Sequence, residues 1–372
     1  MTSPLHVLHV HSGNIFGGIE QILLVHGEAG ESSGIRASFA LCFDGILFNR
    51  LTELDNVPHR LGNVRIRNPF TIRRAKRKLK EVIQTLRPDA VVVHSPWAHA
   101  LFAKVPKKLG VPTALWLHGQ VTGRHWIERL ARRTDPDILI ANSNFTAFAA
   151  KTMFPSLDAQ VLYPPVRDVP ASSIADRSKT RERLGVGEKE RVIVHVGRAE
   201  HGKGAHNLVQ ALANLTDDEN WTCWLIGGGD TPAERRYTAL LKNRIEDLGL
   251  SDRVRQLGQR DDVTDLLNAG DVLCQPHIVP EGFGLVVVEA IDAGLSVVTT
   301  GLGGTKEIVD EMGGTLVAPD DETELTSALR RLVAEPSAHS NRPATSDWRK
   351  TLEPQAHLEL FGGIIRTGAH GR

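Results

Sequence analysis

The amino-acid sequence predicts an α/β protein built from two doubly wound parallel sheets. Two observations carry this prediction. Short β-branched runs alternate with amphipathic helical stretches, as in strand–helix–strand units, and the same alternation occurs in both halves of the chain. With 372 residues, of which 41% are hydrophobic and 24% charged, the chain has the length and composition of two ordinary globular domains.

The first half contains six predicted strands and one clear helix. The strands are apolar almost throughout, which is typical of parallel strands covered on both faces. Apolar residues at a spacing of about 3.6 predict a helix over Ile72–Leu86. The predicted strands are Leu5–Val10, Ala37–Phe43, Ala90–His94, Thr113–His118, Ile138–Ala141 and Gln160–Leu162.

The second half repeats this plan after a predicted linker. Paired prolines in Tyr163–Pro170 and a polar run to Glu190 favour a connection between domains. The predicted domains are therefore 1–168 and 169–350, followed by a C-terminal helix at 351–372 whose docking the sequence leaves open. The predicted strands are Val192–Val196, Trp221–Ile226, Val254–Leu257, Val272–Cys274 and Val297–Thr300, and the predicted helices are Ala233–Leu248, Leu285–Ala293 and Glu322–Ala334.

Composition argues against several classes of protein. Lys+Arg and Asp+Glu both number 44, whereas a protein that follows a nucleic-acid backbone usually has a basic excess. Cys42, Cys223 and Cys274 are too few and too far apart for a disulfide framework or a zinc cluster. We find no signal-peptide pattern and no apolar run of the roughly 18–20 residues that a membrane span needs. These features predict a cytoplasmic protein.

One charged segment, Arg73–Lys80, stands out within the predicted helix Ile72–Leu86. Its cations fall on the polar face, where they could attract an anionic membrane or an acidic acceptor. A solvated helix face is the commoner outcome. Peripheral attachment to the inner membrane face is therefore kept as an alternative.

A glycine-rich loop follows the first predicted strand. In His11–Glu20, Gly17 and Gly18 precede a helical stretch, where backbone amides and a helix N-terminus favour anions. The spacing does not give the dinucleotide motif G-x-G-x-x-G, so a tight turn is the alternative.

A second loop, Gly197–Gly204, follows the predicted strand Val192–Val196 and nearly spells the P-loop motif G-x-x-x-x-G-K-[ST]. Gly204 stands where that motif has its magnesium-binding hydroxyl, which argues against a nucleotide triphosphatase. Arg198 and Lys203 can still bind a diphosphate from this turn, with two solvated surface cations as the alternative.

Two carboxylates flank a third loop. Glu281 precedes a predicted helix and Glu289 lies within it, and Gly282 and Gly284 expose loop amides between them. Ionised carboxylates only accept hydrogen bonds, so the pair could hold sugar hydroxyls, whereas a capping and a surface glutamate are the alternative. The later turn Gly301–Val309 is either a second anion site or a packing turn.

A metal site is not expected. Asp135-Pro136-Asp137 resembles a metal-binding D-x-D motif, but it lies before a predicted strand, where Pro–Asp usually forms a turn. His11 and His118 fall at the carboxyl ends of strands, where binding sites form. The histidines His6, His9, His11, His94 and His118 lie on separate strands without the spacing of a zinc site.

In order along the chain, these motifs resemble those of the retaining, nucleotide-sugar-dependent glycosyltransferases of family 4. The resemblance covers almost the whole chain and is clearest from Glu281 to Val309. It includes Gly303, Gly304 and Glu307 there, and extends to Gly17–Glu20, Leu117–Gly119, Ala141–Ser143, Tyr163–Pro165 and Gly197–Gly204. Leu295-Ser296 departs from the family pattern, which often has a proline at this point. The resemblance implies the GT-B fold, two Rossmann-like domains facing across a cleft, with the acceptor mainly on the N-terminal domain and the donor mainly on the C-terminal one.

The resemblance also implies roles for residues at matching positions. Arg198 and Lys203 would bind the donor diphosphate, Glu289 the nucleotide ribose and Glu281 the transferred sugar. His118 would lie beside the reacting sugar. The implied catalytic residues are Arg198, Lys203, Glu281 and His118, and the implied donor-binding residues are Gly17, Gly18, Gly197, Gly282, Phe283, Gly284, Leu285 and Glu289.

The expected function is retaining transfer of a sugar from a nucleotide diphosphate sugar to an acceptor hydroxyl, without a metal or other cofactor. UDP-sugars are the commoner donors, and the acceptor could be a saccharide, a lipid or a small metabolite. The rival interpretations are a sugar-nucleotide epimerase or hydrolase on the same fold, a non-catalytic sugar-nucleotide-binding subunit, and the nucleotide triphosphatase that Gly204 disfavours.

Overall fold

Two parallel sheets organise the computed structural model, which describes residues 4–14, 17–29, 33–167, 174–215, 220–229, 231–334 and 346–370. The chain divides into a first unit, Met1–Pro165 with Lys350–Arg372, and a second unit, Val166–Arg349. Each unit has one sheet with helices packed against it, which confirms the predicted α/β fold class. The boundary predicted at 168/169 lies outside the described residues.

The first unit contains a seven-stranded parallel sheet in the order β3-β2-β1-β4-β5-β6-β7. All six predicted strands occur, because their apolar residues are buried in the core. The additional strand β3 has two residues, too few to leave a pattern in the sequence. The strands are β1 (Leu5–His11), β2 (Ile35–Leu41), β3 (His59–Arg60), β4 (Ala90–His94), β5 (Thr113–Leu117), β6 (Ile138–Ala141) and β7 (Gln160–Val161).

Helices α1 (Gly18–Ala29), α2 (Ile46–Glu53), α3 (Pro69–Leu86), α4 (Ser95–Phe102), α5 (Lys104–Lys108), α6 (Trp126–Ala131) and α7 (Asn144–Ala150) also belong to the first unit. The predicted helix is α3, which begins earlier than expected because the Asn68 side chain caps it and Pro69 occupies its first turn. It buries Ala75, Leu79 and Ile83 against the sheet. Of the helices described, none is long and apolar enough to cross a membrane.

The second unit contains a six-stranded parallel sheet in the order β10-β9-β8-β11-β12-β13. Its five predicted strands occur, and β13 is a further two-residue strand. The strands are β8 (Arg191–Val196), β9 (Trp221–Ile226), β10 (Val254–Gly258), β11 (Val272–Gln275), β12 (Ser296–Thr299) and β13 (Thr315–Leu316). The helices are α8 (Ile174–Arg183), α9 (Ala205–Leu212), α10 (Pro232–Asp247), α11 (Val263–Ala269), α12 (Leu285–Asp292), α13 (Thr305–Met312) and α14 (Glu322–Ala334), and the short α15 (Asp347–Lys350) follows.

The last helix, α16 (Pro354–His370), returns to the first unit. Its residues Leu358, Phe361 and Ile365 are buried in the same apolar cluster as Val7 and Trp116. The sequence left the docking of this segment open, and the structure gives it a place in the core of the first unit.

Part of the predicted linker is a helix of the second unit. Helix α8 packs on α11, and its Arg177 and Arg181 form ion pairs with the buried Asp271 at 2.8 and 3.3 Å. Arg191 pairs with the same carboxylate at 3.2 Å, and the Val192 amide donates to it at 2.8 Å. Burial would raise the pKa of Asp271, but the arginines and the amide hold it below its ordinary value. The polar run to Glu190 was interpreted as part of the connection between domains, and Ile174–Arg183 within it is a helix of the second unit.

We predict that Asp271→Ala lowers the free energy of unfolding by about 3–5 kcal/mol, because it leaves buried arginines without a counter-charge. The exposed Asp310, paired with Lys306 at 2.7 Å, provides the control, and Asp310→Ala should cost less than about 1 kcal/mol. Urea unfolding measures both variants. Equal losses would show that the Asp271 cluster does not hold α8 in the second unit.

Candidate functional site

The loop after β8 is shaped by glycines. Gly197 leaves the strand, residues His201–Lys203 form one turn of 3-10 helix, and Gly204 precedes α9 with a φ of 75°. A Cβ on Gly204 would lie 1.8 Å from the Pro276 carbonyl oxygen. No serine or threonine fits at this position, so the departure from the P-loop motif is fixed by the packing of the backbone.

Lys203 and Glu281 come together at this loop. The Lys203 ammonium donates directly to the Glu281 carboxylate, and His277 Nε2 lies 3.4 Å from the same carboxylate oxygen. Burial would raise the pKa of Glu281, but Lys203, His277 and the Gly282 amide outweigh it and hold that pKa below its ordinary value. The result is an ionised carboxylate beside a cation. Sequence reasoning missed His277, whose only signal was its position four residues before Glu281.

The backbone of Glu281 is held by the loop after β12. Its amide donates to the Leu302 carbonyl at 3.0 Å, and its carbonyl accepts from the Gly304 amide at 2.9 Å. A Cβ on Gly303 would lie 2.1 Å from the Glu281 carbonyl oxygen. The Gly301–Val309 turn therefore packs against Glu281.

Arg198 has different partners from Lys203. Its Nη1 lies 2.5 Å from Glu200 Oε1 and 3.9 Å from Glu234 Oε1, and its side chain is 43% exposed. Arg198 and Lys203 thus lie on the same loop but pair with different carboxylates. Much of the Arg198 guanidinium remains open to a ligand.

The loop before α12 offers backbone groups. Gly282 and Gly284 flank Phe283, whose ring is buried near Trp348 with the ring centroids 6.3 Å apart. Phe283 can therefore serve a ligand only through its main chain. Leu285 begins α12, whose first amides have no partner within the helix.

Glu289 lies one turn into α12 in a different environment from Glu281. Burial, reinforced by the nearby Asp292, raises the pKa of Glu289 to about 7. No described cation is among the groups that set this pKa. Hydrogen bonds donated by a ligand would stabilise the ionised form of this buried carboxyl group.

In the first unit, Glu20 ties the Gly17 loop to the end of β1. One oxygen of the Glu20 carboxylate accepts from His11 Nε2 at 2.6 Å, and the other accepts from the Gly17 amide at 2.9 Å. Gly18 is exposed as the first residue of α1. Residues 15 and 16 of the predicted loop motif lie outside the described part of the chain. Glu20 had no assigned role in the sequence, although it follows Gly17 by three residues.

His118 directly follows β5 and connects to buried histidines. Its Nε2 lies 2.9 Å from His94 Nδ1, and His94 Nε2 lies 3.0 Å from His9 Nδ1. Burial lowers the pKa of both His118 and His9 to about 3. These contacts were missed because the sequence gives only strand positions, not the distances between strands.

Among the described residues, no group of three or more His, Cys, Asp or Glu side chains could hold a metal ion. Asp137 of the D-x-D sequence has a structural role. Its carboxylate accepts from the Thr113 amide at 2.8 Å and lies 3.7 Å from the Lys107 ammonium.

Two family models match the chain. Residues 16–168 match the model described as Glycosyltransferase Family 4, and residues 176–347 match the model described as Glycosyl transferases group 1. Together they cover most of both units.

Two curated relatives also match the chain. The chain is 27% identical over 278 residues to N-acetyl-alpha-D-glucosaminyl L-malate synthase of Bacillus anthracis, covering 71% of this chain and 70% of that protein. It is 28% identical over 255 residues to the lipopolysaccharide core biosynthesis mannosyltransferase LpsB of Rhizobium meliloti, covering 65% and 69%.

Two solved structures share the fold over nearly the full length. Alr3699/HepE of Anabaena, in complex with UDP-glucose, has a TM-score of 0.79, 24% identity and 98% coverage of both chains. A glycosyltransferase from Rickettsia africae has a TM-score of 0.84, 20% identity and 100% coverage of both chains.

The raised pKa of Glu289 predicts a pH-dependent stability. A carboxyl group with a pKa of about 7 in the folded chain stabilises the fold at low pH and loses this contribution as the pH rises through 7. Glu289→Gln stays neutral, so its melting temperature relative to wild type should be higher near pH ~8.5 than near pH ~5.5. The exposed Glu246→Gln on α10 serves as the control and should show no such trend. A constant difference for Glu289→Gln at all pH values would contradict the raised pKa.

Proposed function

The chain belongs to the family 4 glycosyltransferases of the GT-B fold, and from this premise we propose that it transfers a sugar from a nucleotide diphosphate sugar to an acceptor hydroxyl with retention of configuration. The observation that carries the proposal is the contact between Lys203 and Glu281. This contact places Lys203, a cation that can bind phosphate, beside Glu281, an ionised carboxylate that can accept hydrogen bonds from sugar hydroxyls. Both residues lie at the carboxyl ends of parallel strands.

The donor roles follow from the chemistry of each group. The Lys203 ammonium has three N–H donors, so it can bind a phosphate oxygen while it keeps Glu281. Arg198 is partly exposed and can hold two phosphate oxygens at once. Glu281 accepts hydroxyl hydrogens of the transferred sugar, and Glu289 accepts those of the ribose.

The loop backbones complete this assignment. The loop backbone of Gly282–Leu285 contributes to donor binding in the second unit. Gly197, whose amide donates to the Ile226 carbonyl at 2.9 Å, contributes by letting the chain lie close to the donor. In the first unit, the backbone at Gly17 and Gly18 lets the diphosphate approach closely. His118 contacts the reacting sugar. A UDP-sugar is the proposed donor, supported by UDP-glucose in the Anabaena neighbour.

In the proposed step, the acceptor oxygen attacks the anomeric carbon from the face that the diphosphate leaves. The bond from the anomeric carbon to the phosphate oxygen breaks, and its electron pair goes to the diphosphate. The acceptor proton passes to a diphosphate oxygen. Lys203 and Arg198 stabilise the negative charge that develops there, and no metal ion is required.

A donor screen followed by product analysis tests this function. We expect a UDP-sugar to raise the melting temperature more than its GDP and ADP counterparts, because a ligand that binds only the folded chain stabilises it. Transfer to an acceptor should retain the anomeric configuration and continue in excess chelator. Free sugar or an epimerised donor as the only product, or activity that returns only with Mg²⁺ or Mn²⁺, would contradict the proposal.

Arg198→Ala and Lys203→Ala should each lower kcat by about 10²–10³-fold, as expected for loss of one preorganised group that stabilises the leaving charge. Arg198→Lys should also be impaired, because the ammonium cannot bind two oxygens at once. Lys242→Ala, which removes an exposed cation of α10, is the control and should retain wild-type kcat. If either variant kept full kcat at saturating donor, that residue would contribute only to ground-state binding.

We also propose that α3 contacts an anionic membrane surface. Two further cations, Lys104 and Lys108 of α5, are exposed near the basic segment predicted at Arg73–Lys80. Burial, reinforced by these two cations, lowers the pKa of Lys76. Phe70, at the start of α3, is 74% exposed. An exposed aromatic ring beside several cations suits a surface of acidic lipid headgroups.

Vesicle sedimentation tests this contact. The chain should bind vesicles that contain phosphatidylglycerol more strongly than neutral phosphatidylcholine vesicles, and salt should weaken the binding. Arg73→Gln and Arg74→Gln should each reduce partitioning about fivefold, and Phe70→Ser should reduce it further. Phe148→Ser removes an exposed ring from α7 (83% exposed, against 74% for Phe70) and should leave vesicle binding unchanged. Equal binding to both kinds of vesicle would contradict the membrane contact.

A further inference from the structure

The short helix α15 contacts both ends of the segment 283–292, which contains α12. At one end, the Trp348 ring lies near the Phe283 ring, with the centroids 6.3 Å apart. At the other end, Arg349 Nε donates to Asp292 Oδ2 at 2.8 Å, and Arg349 Nη2 lies 2.6 Å from the same oxygen. The Arg349 side chain is buried, so salt screens this ion pair little. Helix α15 therefore supplies a cation to the last residue of α12.

Asp292 lies close to Glu289 on the same helix. The two residues are three apart in α12, a spacing that brings Cβ atoms to about 5–6 Å on one helix face. Two carboxylates at this spacing repel each other, so an ionised Asp292 opposes the ionisation of Glu289. An arginine bound to Asp292 reduces this repulsion, because its positive charge offsets the charge of the carboxylate. The charge state of Glu289 thus depends on Arg349 as well as on Asp292.

A ligand can reach Glu289. The residue is partly exposed, and neither of its carboxyl oxygens is among the enclosed polar atoms of the described chain that lack a partner. Burial nevertheless raises the pKa of Glu289 to about 7, and the charge on Asp292 adds to this effect. At neutral pH, about half of the Glu289 carboxyl groups are therefore ionised. A modest change in the nearby charge then changes the ionised fraction severalfold.

Several charged groups lie on the elements packed against α12. This helix contacts α11, α13, β11 and β12, and it contacts α15 through Arg349. On α13, Lys306 and Asp310 pair with each other at 2.7 Å. Among the charges of the described chain, Asp292 is the one that adds to the raised pKa of Glu289. The titratable and charged groups of these neighbouring elements are Asp265, Cys274, Lys306, Glu307, Asp310, Glu311, Asp347, Arg349 and Lys350.

We propose that Arg349 is a positioning residue for donor binding: by holding the Asp292 carboxylate, it limits the negative charge beside Glu289 and keeps Glu289 able to accept hydrogen bonds from ribose hydroxyls at neutral pH. The inference rests on the proposed function, which assigns the ribose to Glu289. Arg349 acts through Asp292 and not by contact with the nucleotide. The matching ligand group is a pair of adjacent hydroxyls, because one ionised carboxylate can accept from both.

A carboxyl titration tests the charge coupling without any ligand. Carbon-13 NMR of the full chain, labelled at the glutamate side-chain carboxyl, follows ionisation, and the Glu289 signal is identified by its loss in Glu289→Gln. We expect a midpoint near pH 7 in the wild-type chain. Arg349→Gln should raise this midpoint by about one pH unit and Asp292→Asn should lower it by about one, as expected for one charge at this distance. Arg349→Lys keeps the charge and should stay close to the wild-type value.

Binding of UDP tests the consequence for the donor site. Its affinity, measured by calorimetry, should follow the ionised fraction of Glu289. At pH ~7, Arg349→Gln should bind UDP about fivefold more weakly than the wild-type chain, and Asp292→Asn about twofold more tightly. Near pH ~8.5 the three affinities should agree to within about 1.5-fold, because Glu289 is then mostly ionised in all of them.

Arg177→Gln is the matched control. Arg177 pairs with the buried Asp271 at 2.8 Å in the same unit, so this variant removes the same group from the same kind of ion pair. It should lower the melting temperature without moving the Glu289 midpoint or the pH dependence of UDP binding. Equal effects of Arg177→Gln and Arg349→Gln on UDP binding would show that the loss comes from reduced stability, and would overturn the proposal.

The direction of the shifts also decides the proposal. A purely structural role of the ion pair predicts the same direction for Arg349→Gln and Asp292→Asn, since each breaks the pair. Midpoints of Glu289 that stay unchanged or move together in these variants would overturn the proposal, as would UDP affinities that do not change with pH. Wild-type UDP affinity in Glu289→Gln would instead overturn the ribose assignment of the proposed function, and the titration would still show whether Arg349 sets the charge of Glu289.

Discussion

The candidate donor site depends on close contacts between the backbones of three loops at the carboxyl edge of the second sheet. Gly204 meets the Pro276 carbonyl and Gly303 meets the Glu281 carbonyl so closely that neither position has room for a Cβ. These contacts hold the loops after β8, β11 and β12 in a fixed relation. Because of them, Lys203 reaches a carboxylate 78 residues further along the chain.

The same region gives two glutamates opposite electrostatic environments. Glu281 has a cation, a histidine and an amide beside it, and its pKa falls. Glu289 has burial and a neighbouring carboxylate, and its pKa rises to about 7. Glu281 is thus ready to accept hydrogen bonds without a ligand, whereas Glu289 becomes a better acceptor once hydroxyl groups have replaced its lost hydration. The loop before α12 therefore supplies Glu281 as a preformed hydrogen-bond acceptor, and the first turns of α12 supply Glu289 as an acceptor that depends on a ligand.

Strand positions were predictable from the sequence, while contacts between distant segments were not. Runs such as Ala90–His94 are apolar on both faces, and burial on both faces is what makes them strands. Helix α8 was missed because Arg177 and Arg181 look like solvent-exposed residues, and only the fold brings them to Asp271. At the site, motif order identified Lys203 and Glu281 as candidates, but nothing local showed that they touch.

The buried histidines make the stability of the first unit sensitive to acid. Burial lowers the pKa of His9, His26, His94, His118 and His357, so the unfolded chain binds protons at these positions more readily than the folded chain does. Their contribution to stability is therefore present above the unfolded pKa of about 6.5 and is lost as the pH falls below it. Apolar side chains would fill the same space without this sensitivity to acid. What the imidazoles add is a row of hydrogen-bonding nitrogens that runs from His9 through His94 to His118 at the strand end, with contacts of 3.0 and 2.9 Å, which leucine or phenylalanine side chains cannot make.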